Sequence, residues 1–409
     1  MRKSSTTALI LILSYFNYSH SQTFTNYTIA DGLIDNSVSC ASIDNNGSIW
    51  FGTQNGISKF DGSNWESHTT TTDSGMIDNT ITSIHTTSNN DLWIGTDFGT
   101  CMYSGQNWTC YTTNEGLGDN RVKYIKEAPD GKIWFGEYDG LSIFDGSNWT
   151  TYNMSSGLPF GGIQHIEFDS NGDAWLGSGF GGLIKFDGTN FIIYNTSNGL
   201  INSIVNSITI DGQNKKWTGT ATGISVFDNN NNWLKDYTQM YLLPPPDTLN
   251  PVIDLDFDSQ GLLWVGIYVD YLLDGGVAMY NGFSWVDFNM SDGLIGPVIT
   301  DLVIDDLDQV WITTGSGISK LTNVPALIKE QNDLNIIVYP NPTKSNFTNN
   351  NPNKSDYIVK VKNLNGEIIF YNKVNSTSIE IELNARPGLY FLEITDEKNR
   401  TYTEKIIKS

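Results

Sequence analysis

Short apolar runs punctuated by turn residues set the rhythm of this chain. IWFGTQNGISKFDGSNW, at 49–65, returns as IWFGEYDGLSIFDGSNW at 133–149. Runs such as VSCASI, SIWFGT, GISKF and NWESHT are separated by DNNG, QNG and DGSN. That pattern predicts four short β-strands joined by tight turns. Aligning the copies on their first tryptophan gives Trp50, Trp93, Trp134, Trp175, Trp217, Trp264 and Trp311, in steps of 43, 41, 41, 42, 47 and 47 residues. A period near 40–45 residues predicts a propeller, with one four-stranded sheet per repeat.

Positions inside the repeat support this. Nine residues before each tryptophan stand Ala41, Ile84, Ile125, Ile166, Ile208, Leu255 and Leu302; two after it stands glycine, except at Thr313. Seventeen before it stands leucine or methionine preceded by glycine, except in the Trp264 copy. The strands are expected to be apolar on both faces, because blades stack face to face. Burying one tryptophan contributes roughly 1.5–3 kcal/mol, so the repeated tryptophans read as packing residues. The last copy stops after GISKLTN without a fourth strand, and FTNYTIADGL at 24–33 matches the missing piece. The expectation is an all-β, seven-bladed β-propeller closed by an N-terminal strand, which removes two open sheet edges.

The repeats WFGTQNGISKF, WIGTDFGTCMY, WFGEYDGLSIF and WLGSGFGGLIKF resemble the two-component regulator propeller repeat, over residues 24–321. In that family such propellers usually form the outer part of membrane-spanning histidine kinases that sense oligosaccharides. No kinase and no transmembrane helix is read in this sequence, so the sensing role does not carry over.

Beyond the repeats the pattern changes. NIIVYPNP, YIVKVKNLNGEIIFY, SIEIELN, GLYFLEIT and TYTEKIIKS alternate apolar and polar residues, which predicts a small antiparallel, Ig-like β-sandwich. The motifs Tyr339-Pro340-Asn341-Pro342, Asn365-Gly366 and Pro387-Gly388-Leu389-Tyr390, with the terminal KIIK, resemble the type A C-terminal sorting domain of the type IX secretion system. That resemblance implies the secretion machinery as a partner and a secreted or outer-surface location on a Gram-negative bacterium. The expected division is a signal peptide at 1–21, the propeller at 22–322, a linker at 323–334 and the sorting domain at 335–409. MRKSSTTALILILSYFNYSHSQ has the positive start, short apolar core and small residues of a secretory signal.

Charge sharpens the picture. Residues 22–332 carry 11 Lys+Arg against 36 Asp+Glu, whereas 333–409 carry 10 against 9. So acidic a body repels phosphate backbones and argues against nucleic-acid binding. Of three cysteines, Cys101 and Cys110 flank a predicted hairpin turn; a cross-strand disulfide and a pair of free thiols both fit the sequence.

Candidate chemistry is sparse. His68, His85 and His165 occupy different repeat positions, 18 after, 8 before and 10 before their tryptophans, so no metal and no cofactor is expected. The aspartates of DNNG, DSNG and DDLDQ read as turn residues, and the spacing fits neither an Asp box nor a helix-loop-helix calcium site. Loop lengths are more informative. Trp264 to Trp285 spans 21 residues against 15 for Trp50 to Trp65, and Trp233 to Trp264 spans 31 against 26 for Trp149 to Trp175. Both insertions fall beside the sixth repeat and on one face. Tyr241, Tyr268, Asp270, Tyr271 and Asp274 are therefore candidate ligand contacts, with Asp97, Phe98, Arg121, Glu137, Tyr138 and Phe180 on the same rim. The functional expectation is a binding module for a glycan or protein ligand. Alternatives are an enzyme acting on a polysaccharide or small molecule, and a purely structural surface protein.

Overall fold

The computed structural model describes residues 22–105, 107–238, 240, 250–268, 275–282, 284–322, 337–339, 346–350, 357–363, 367–375, 378–383, 385–386, 388–396 and 401–408. The chain divides into two compact units at 325/326.

In the first unit the apolar runs become four-stranded antiparallel sheets. Sheet 1 comprises Val38–Ile43, Ile49–Thr53, Gly56–Phe60 and Trp65–His68, paired in that order. Sheets 2 to 6 repeat this meander, with first strands Ser83–Thr86, Val122–Glu127, Ile163–Phe168, Val205–Ile210 and Val252–Phe257. Sheet 7 takes Ile299–Ile304, Val310–Thr314 and Gly317–Thr322 from its own repeat and Thr23–Tyr27 from the front of the chain. Thr23 to Tyr27 pair antiparallel with Thr322 to Ile318. Each first strand lies beside the first strands of the sheets before and after it, and Val38–Ile43 lies beside Ile299–Ile304.

The tryptophans are packing residues, and they also carry a hydrogen bond. The indole Nε1 of Trp50, Trp175, Trp217, Trp264 and Trp311 donates to the carboxylate six residues earlier, at Asp44, Asp169, Asp211, Asp258 and Asp305, over 3.0–3.2 Å. The other oxygen of that carboxylate accepts backbone N–H groups of the turn between the first two strands, as Asp258 does from Gln260 and Leu262. The turn aspartate therefore fixes the loop and the ring together. Sheet 3 has Ala128 at this place, and the buried Trp134 Nε1 has no hydrogen-bond partner. The glycine two residues past the tryptophan reflects close sheet approach: a Cβ on Gly52 would lie 2.6 Å from both Cys40 Sγ and Ile81 Cγ2.

The second unit holds a three-stranded sheet of Ile337–Tyr339, Asn346–Asn350 and Ser378–Glu382. Its four-stranded sheet runs Ile368–Val374, Tyr357–Asn363, Gly388–Asp396, Thr401–Lys408. Tyr357, Val359, Val361, Ile381, Leu392 and Ile394 share one apolar core. Cys101 and Cys110 stand opposite each other in sheet 2 and form a disulfide, whereas Cys40 is a buried free thiol.

Candidate functional site

The first strands are not apolar on both faces. Residues nine before each tryptophan are buried in the sheet interfaces. Alternation turns the residues eight and ten before it to the opposite side, where they line a cavity of about 420 Å³ enclosed by the first strands. In six of the seven first strands the pairing register slips near the strand's start. That bulge also aims the residue eleven before the tryptophan, such as Lys123, Gln164 or Asn206, into the cavity.

This lining is strongly unequal around the ring. Ten before the tryptophan stand Cys40, Ser83, Tyr124, His165, Ser207, Asp254 and Asp301; eight before it stand Ser42, His85, Lys126, Glu167, Thr209, Asp256 and Val303. Acids concentrate in sheets 6 and 7. Asp254 accepts from the Ser207 hydroxyl at 2.6 Å and from Leu302 N at 3.1 Å. Asp301 accepts from Ala41 N at 2.8 Å and Leu302 N at 2.9 Å, so these carboxylates also tie neighbouring sheets together. Burial, and then the charge of Asp254 with a hydrogen bond between the two side chains, pushes the Asp301 carboxyl well up. Burial and Asp254 push Asp256 up to about 6. Lys126 pairs with Glu167 at 2.7 Å. Burial lowers His165 to about 4 and His85 to about 3, leaving both rings neutral at pH 7. His85 Nε2 accepts from Glu127 N. His165 lies tilted by 37° against Tyr124, ring centroids 4.2 Å apart, and its buried Nδ1 has no partner.

The face at the start of the first strands carries the second- to third-strand and fourth- to first-strand loops. Here Phe98, Tyr138, Phe160 and Phe180 are exposed by 51–64%. The rings of Phe160 and Phe180 stack at 6.0 Å. Arg121 lies 3.8 Å over the Tyr138 ring while pairing with Asp119, and Asp97 pairs with Lys123 at 3.2 Å. Glu137 lies beneath this rim, 1% exposed, accepting from Gly118 N and Asp119 N. Burial pushes its carboxyl up to about 8. Tyr268 is half-buried, its N–H donating to Pro251 O at 3.1 Å. Tyr241, Asp270, Tyr271 and Asp274 lie outside the described residues, as do Pro340, Asn341, Pro342 and Gly366 of the sorting motif. Tyr339 sits in a strand, Gly388 begins one, and the buried Tyr390 donates its hydroxyl to Arg386 O at 2.6 Å.

The aromatic rim was partly visible in the sequence through Phe98, Tyr138 and Phe180, but Phe160 was not singled out. The polar lining was missed although its signal is simple. His165 and Glu167, or Asp254 and Asp256, are two residues apart on either side of an apolar position, as one strand face requires. Counting the histidines' offsets as unequal hid that both offsets reach the same cavity.

Comparison with known proteins accords with the fold. Residues 337–409 match the Secretion system C-terminal sorting domain, and residues 32–55 and 75–98 match the Two component regulator propeller. An ulvan lyase of Nonlabens ulvanivorans is 34% identical over 82 residues, which are 20% of this chain and only 15% of that protein. The extracellular domain of a protein described as a hybrid two component system from B. thetaiotaomicron superimposes with a TM-score of 0.64 at 18% identity, covering 94% of this chain. PorZ, a surface component of the type IX secretion system of Porphyromonas gingivalis, gives 0.58 at 16% over 93%. The chain spans 57% and 60% of those two chains. A virginiamycin B lyase from Staphylococcus aureus gives 0.58 at 13%, covering 74% of this chain and 98% of its own. At such identities the likeness is one of fold. The sorting domain marks the chain for type IX export to the cell surface or beyond. Among the described residues no helix is long and apolar enough to cross a membrane.

Proposed function

Starting from a chain with two-component regulator propeller repeats and a type IX sorting domain, we propose that residues 22–322 form a seven-bladed propeller acting as an exported binding module. Seven four-stranded sheets with neighbouring first strands support the blade count. Residues 323–334 then serve as a linker to an Ig-like sorting domain at 335–409, which engages the secretion machinery. The ligand site is the face carrying Phe98, Tyr138, Phe160 and Phe180. One observation carries this reading: four large aromatic side chains stand exposed on one face across three successive sheets, two of them stacked. Exposed rings give the sheets no packing energy, and flat apolar platforms suit the C–H faces of sugars. Arg121 over Tyr138 holds one platform in place. The acidic body favours neutral or amino sugars over sulfated or uronic ones.

The test is a glycan array on the purified full chain, followed by titration of each hit. Phe160→Ala with Phe180→Ala is expected to weaken binding at least tenfold without shifting the melt. Unchanged affinity for every hit places the site elsewhere. A hit among surface proteins but among no glycans turns the reading to a protein ligand.

A second reading, an enzyme, is favoured by the carboxyl groups of unequal acidity in the cavity and by the fold shared with a virginiamycin B lyase. Turnover of a bound glycan that is abolished by Asp256→Asn decides for it.

A further inference from the structure

Three residues after the tryptophan the repeats place a short side chain that closes its own turn. Thr53, Thr96, Thr220 and Thr314 each donate a hydroxyl to the glycine carbonyl three residues on. Ser178 accepts from Gly181 N at that place. Sheet 3 has Glu137 there instead. Its longer side chain leaves the turn and crosses to the loop that enters the sheet. Oε1 accepts from Gly118 N at 3.3 Å, and Oε2 accepts from Asp119 N at 3.1 Å. The loop is shaped to receive it. Sheets 1, 5 and 7 carry Ile34, Ile201 and Ile295 at the place of Gly118, each N–H donating to a third-strand serine as Gly118 N does to Ser142 Oγ. A Cβ on Gly118 would lie 2.7 Å from Glu137 Oε2 and 2.9 Å from Ser142 Oγ, so glycine is what admits the carboxyl. Turn closure does not require Glu137, because threonine achieves it in four other sheets.

What the carboxyl holds is the mount of a rim side chain. Asp119 accepts from Arg121 N at 3.0 Å and grips the guanidinium through Nε at 3.1 Å and Nη2 at 2.6 Å. Arg121 lies 3.8 Å over the Tyr138 ring, and Tyr138 N donates to Arg121 O at 3.0 Å. Arg121 is the one arginine in the sequence between residues 22 and 322. Glu137 is 1% exposed, so it reaches the face only through Asp119. Of the charged groups around it, Asp119 acts on Glu137 directly. Arg121 and Lys123 act on Asp119, Asp97 from the sheet 2 loop pairs with Lys123, and Asp139 on the turn of Glu137 acts on Arg121. Sheet 4 covers the residue with backbone: a Cβ on Gly162 would lie 2.6 Å from Glu137 O.

We propose that Glu137 is the positioning residue of the Arg121–Tyr138 platform: its neutral carboxyl anchors the loop that mounts Arg121, and a charge on it releases that loop. Burial, with the charge of Asp119, pushes the carboxyl up to about 8, so it is neutral below that pH. Above it a second negative charge forms beside Asp119 in a site nearly closed to water. The loop opens to hydrate that charge, and Arg121 leaves the Tyr138 face. That ligand binding then weakens with rising pH rests on the aromatic face being the ligand site; the movement of Arg121 does not, and is measured without a ligand.

The experiment is carbon-detected NMR of the full chain labelled with isotopic arginine, followed across pH. The sequence has four arginines, and Arg121→Lys assigns the Arg121 signal. Its Cζ shift reports the ring current of Tyr138. A single step in that shift is expected, with its midpoint near pH 8, and no step for Arg386 or Arg400 in the same spectra. Glu137→Gln keeps an oxygen for Asp119 N and cannot ionise, so it should hold the low-pH shift throughout. Glu137→Thr, the side chain of the other turns, should show the released shift at every pH, with solvent exchange of the Arg121 Nε–H about tenfold faster than in the parent below pH 8. Unchanged far-ultraviolet circular dichroism verifies the fold, and if Glu137→Thr does not fold, Glu137→Gln alone decides. A parent shift flat through pH 8, a step that survives Glu137→Gln, or a folded Glu137→Thr that matches the parent each overturns the proposal. A glycan array without hits instead fails the reading of the aromatic face and leaves these expected shifts unaltered.

Discussion

Replacing Asp258 by alanine tests how the repeat holds its tryptophan. Asp258 is 7% exposed and Trp264 is 1% exposed. The substitution strands the indole N–H, 3.1 Å from Oδ2, and frees the Gln260 and Leu262 N–H groups from Oδ1. A buried donor left unsatisfied costs about 1–3 kcal/mol, and lost bonds to a turn about 0.5–1.5 kcal/mol. The expected loss is therefore about 2–4 kcal/mol. With an unfolding entropy near 2.1 cal/mol/K per residue, the first unit's roughly 300 residues convert each kcal/mol into about 1.6 °C, so Tm should fall by about 3–7 °C. The converse experiment uses the protein's own variation. Ala128 occupies the same turn in sheet 3, with the same backbone bonds to Lys132 O and from Gly131 N, above a partnerless Trp134 Nε1. Ala128→Asp should supply the acceptor and raise Tm by about 2 °C, since desolvating the carboxylate offsets part of the gain. In a Trp134→Phe background that gain should vanish. Melting followed by circular dichroism at a fixed scan rate reads the parent and all four variants. An unmoved Asp258→Ala melt, or an Ala128→Asp effect that survives Trp134→Phe, refutes the reasoning.

Deleting residues 22–33 removes the strand that completes sheet 7, together with the stack of Tyr27 on Trp311 at 5.8 Å and the contact of Phe24 with Phe288; two half-buried aromatics alone are worth about 1.5–3 kcal/mol, so a melt unchanged by the deletion contradicts ring closure. Glu137 titrates near 8 in the folded chain against 4.5 when free. Its folded pKa is raised, so its contribution is complete below pH 4.5 and is lost as pH climbs to 8. Glu137→Gln should flatten the fall in stability across pH 4.5–8 measured by urea unfolding, and an unaltered slope assigns that fall to other groups. Breaking the disulfide with Cys101→Ser and Cys110→Ser, nine residues apart, should cost about 2–3 kcal/mol by loop-closure entropy; a melt indifferent to both changes and to reductant counts against the bridge.

Much of the fold is legible because its determinants are local and repeated. The tryptophan period, the apolar residue nine before and the glycine two after all encode sheet stacking, and the GISKLTN truncation against FTNYTIADGL encodes the borrowed strand. The expectation of strands apolar on both faces failed on the first strand and on the outer fourth, where Glu66 and Ser67, or Thr150 and Thr151, stand exposed. The first is the strand whose second face meets the axial cavity instead of a neighbouring sheet, and only its own alternation records that. The turn aspartates were assigned to turns correctly but incompletely. Their bond to an indole six residues on joins two strands, and a turn signature is silent on it. The charge chemistry was harder to see, because Tyr124, His165, Asp254 and Asp301 come from four repeats and become neighbours only when the ring closes.

Where the repeats depart from one another is itself informative. Packing asks the same of every sheet, and sheets 1 to 5 answer it at the inner positions with Cys40, Ser83, Tyr124, His165 and Ser207. Sheets 6 and 7 place Asp254 and Asp301 there instead. The same two repeats follow the 47-residue steps that break the period, and Asp256 adds a further acid between them. A serine satisfies the backbone donor as well as an aspartate does, without burying charge, as Ser207 shows with Leu255 N. The acids therefore lower stability relative to the repeat's own solution. Departures from local consistency that cost stability tend to gather at functional sites. Replacing Asp254 and Asp301 together by serine should then raise Tm. A double variant that melts lower than the parent would show that the acids serve the ring itself.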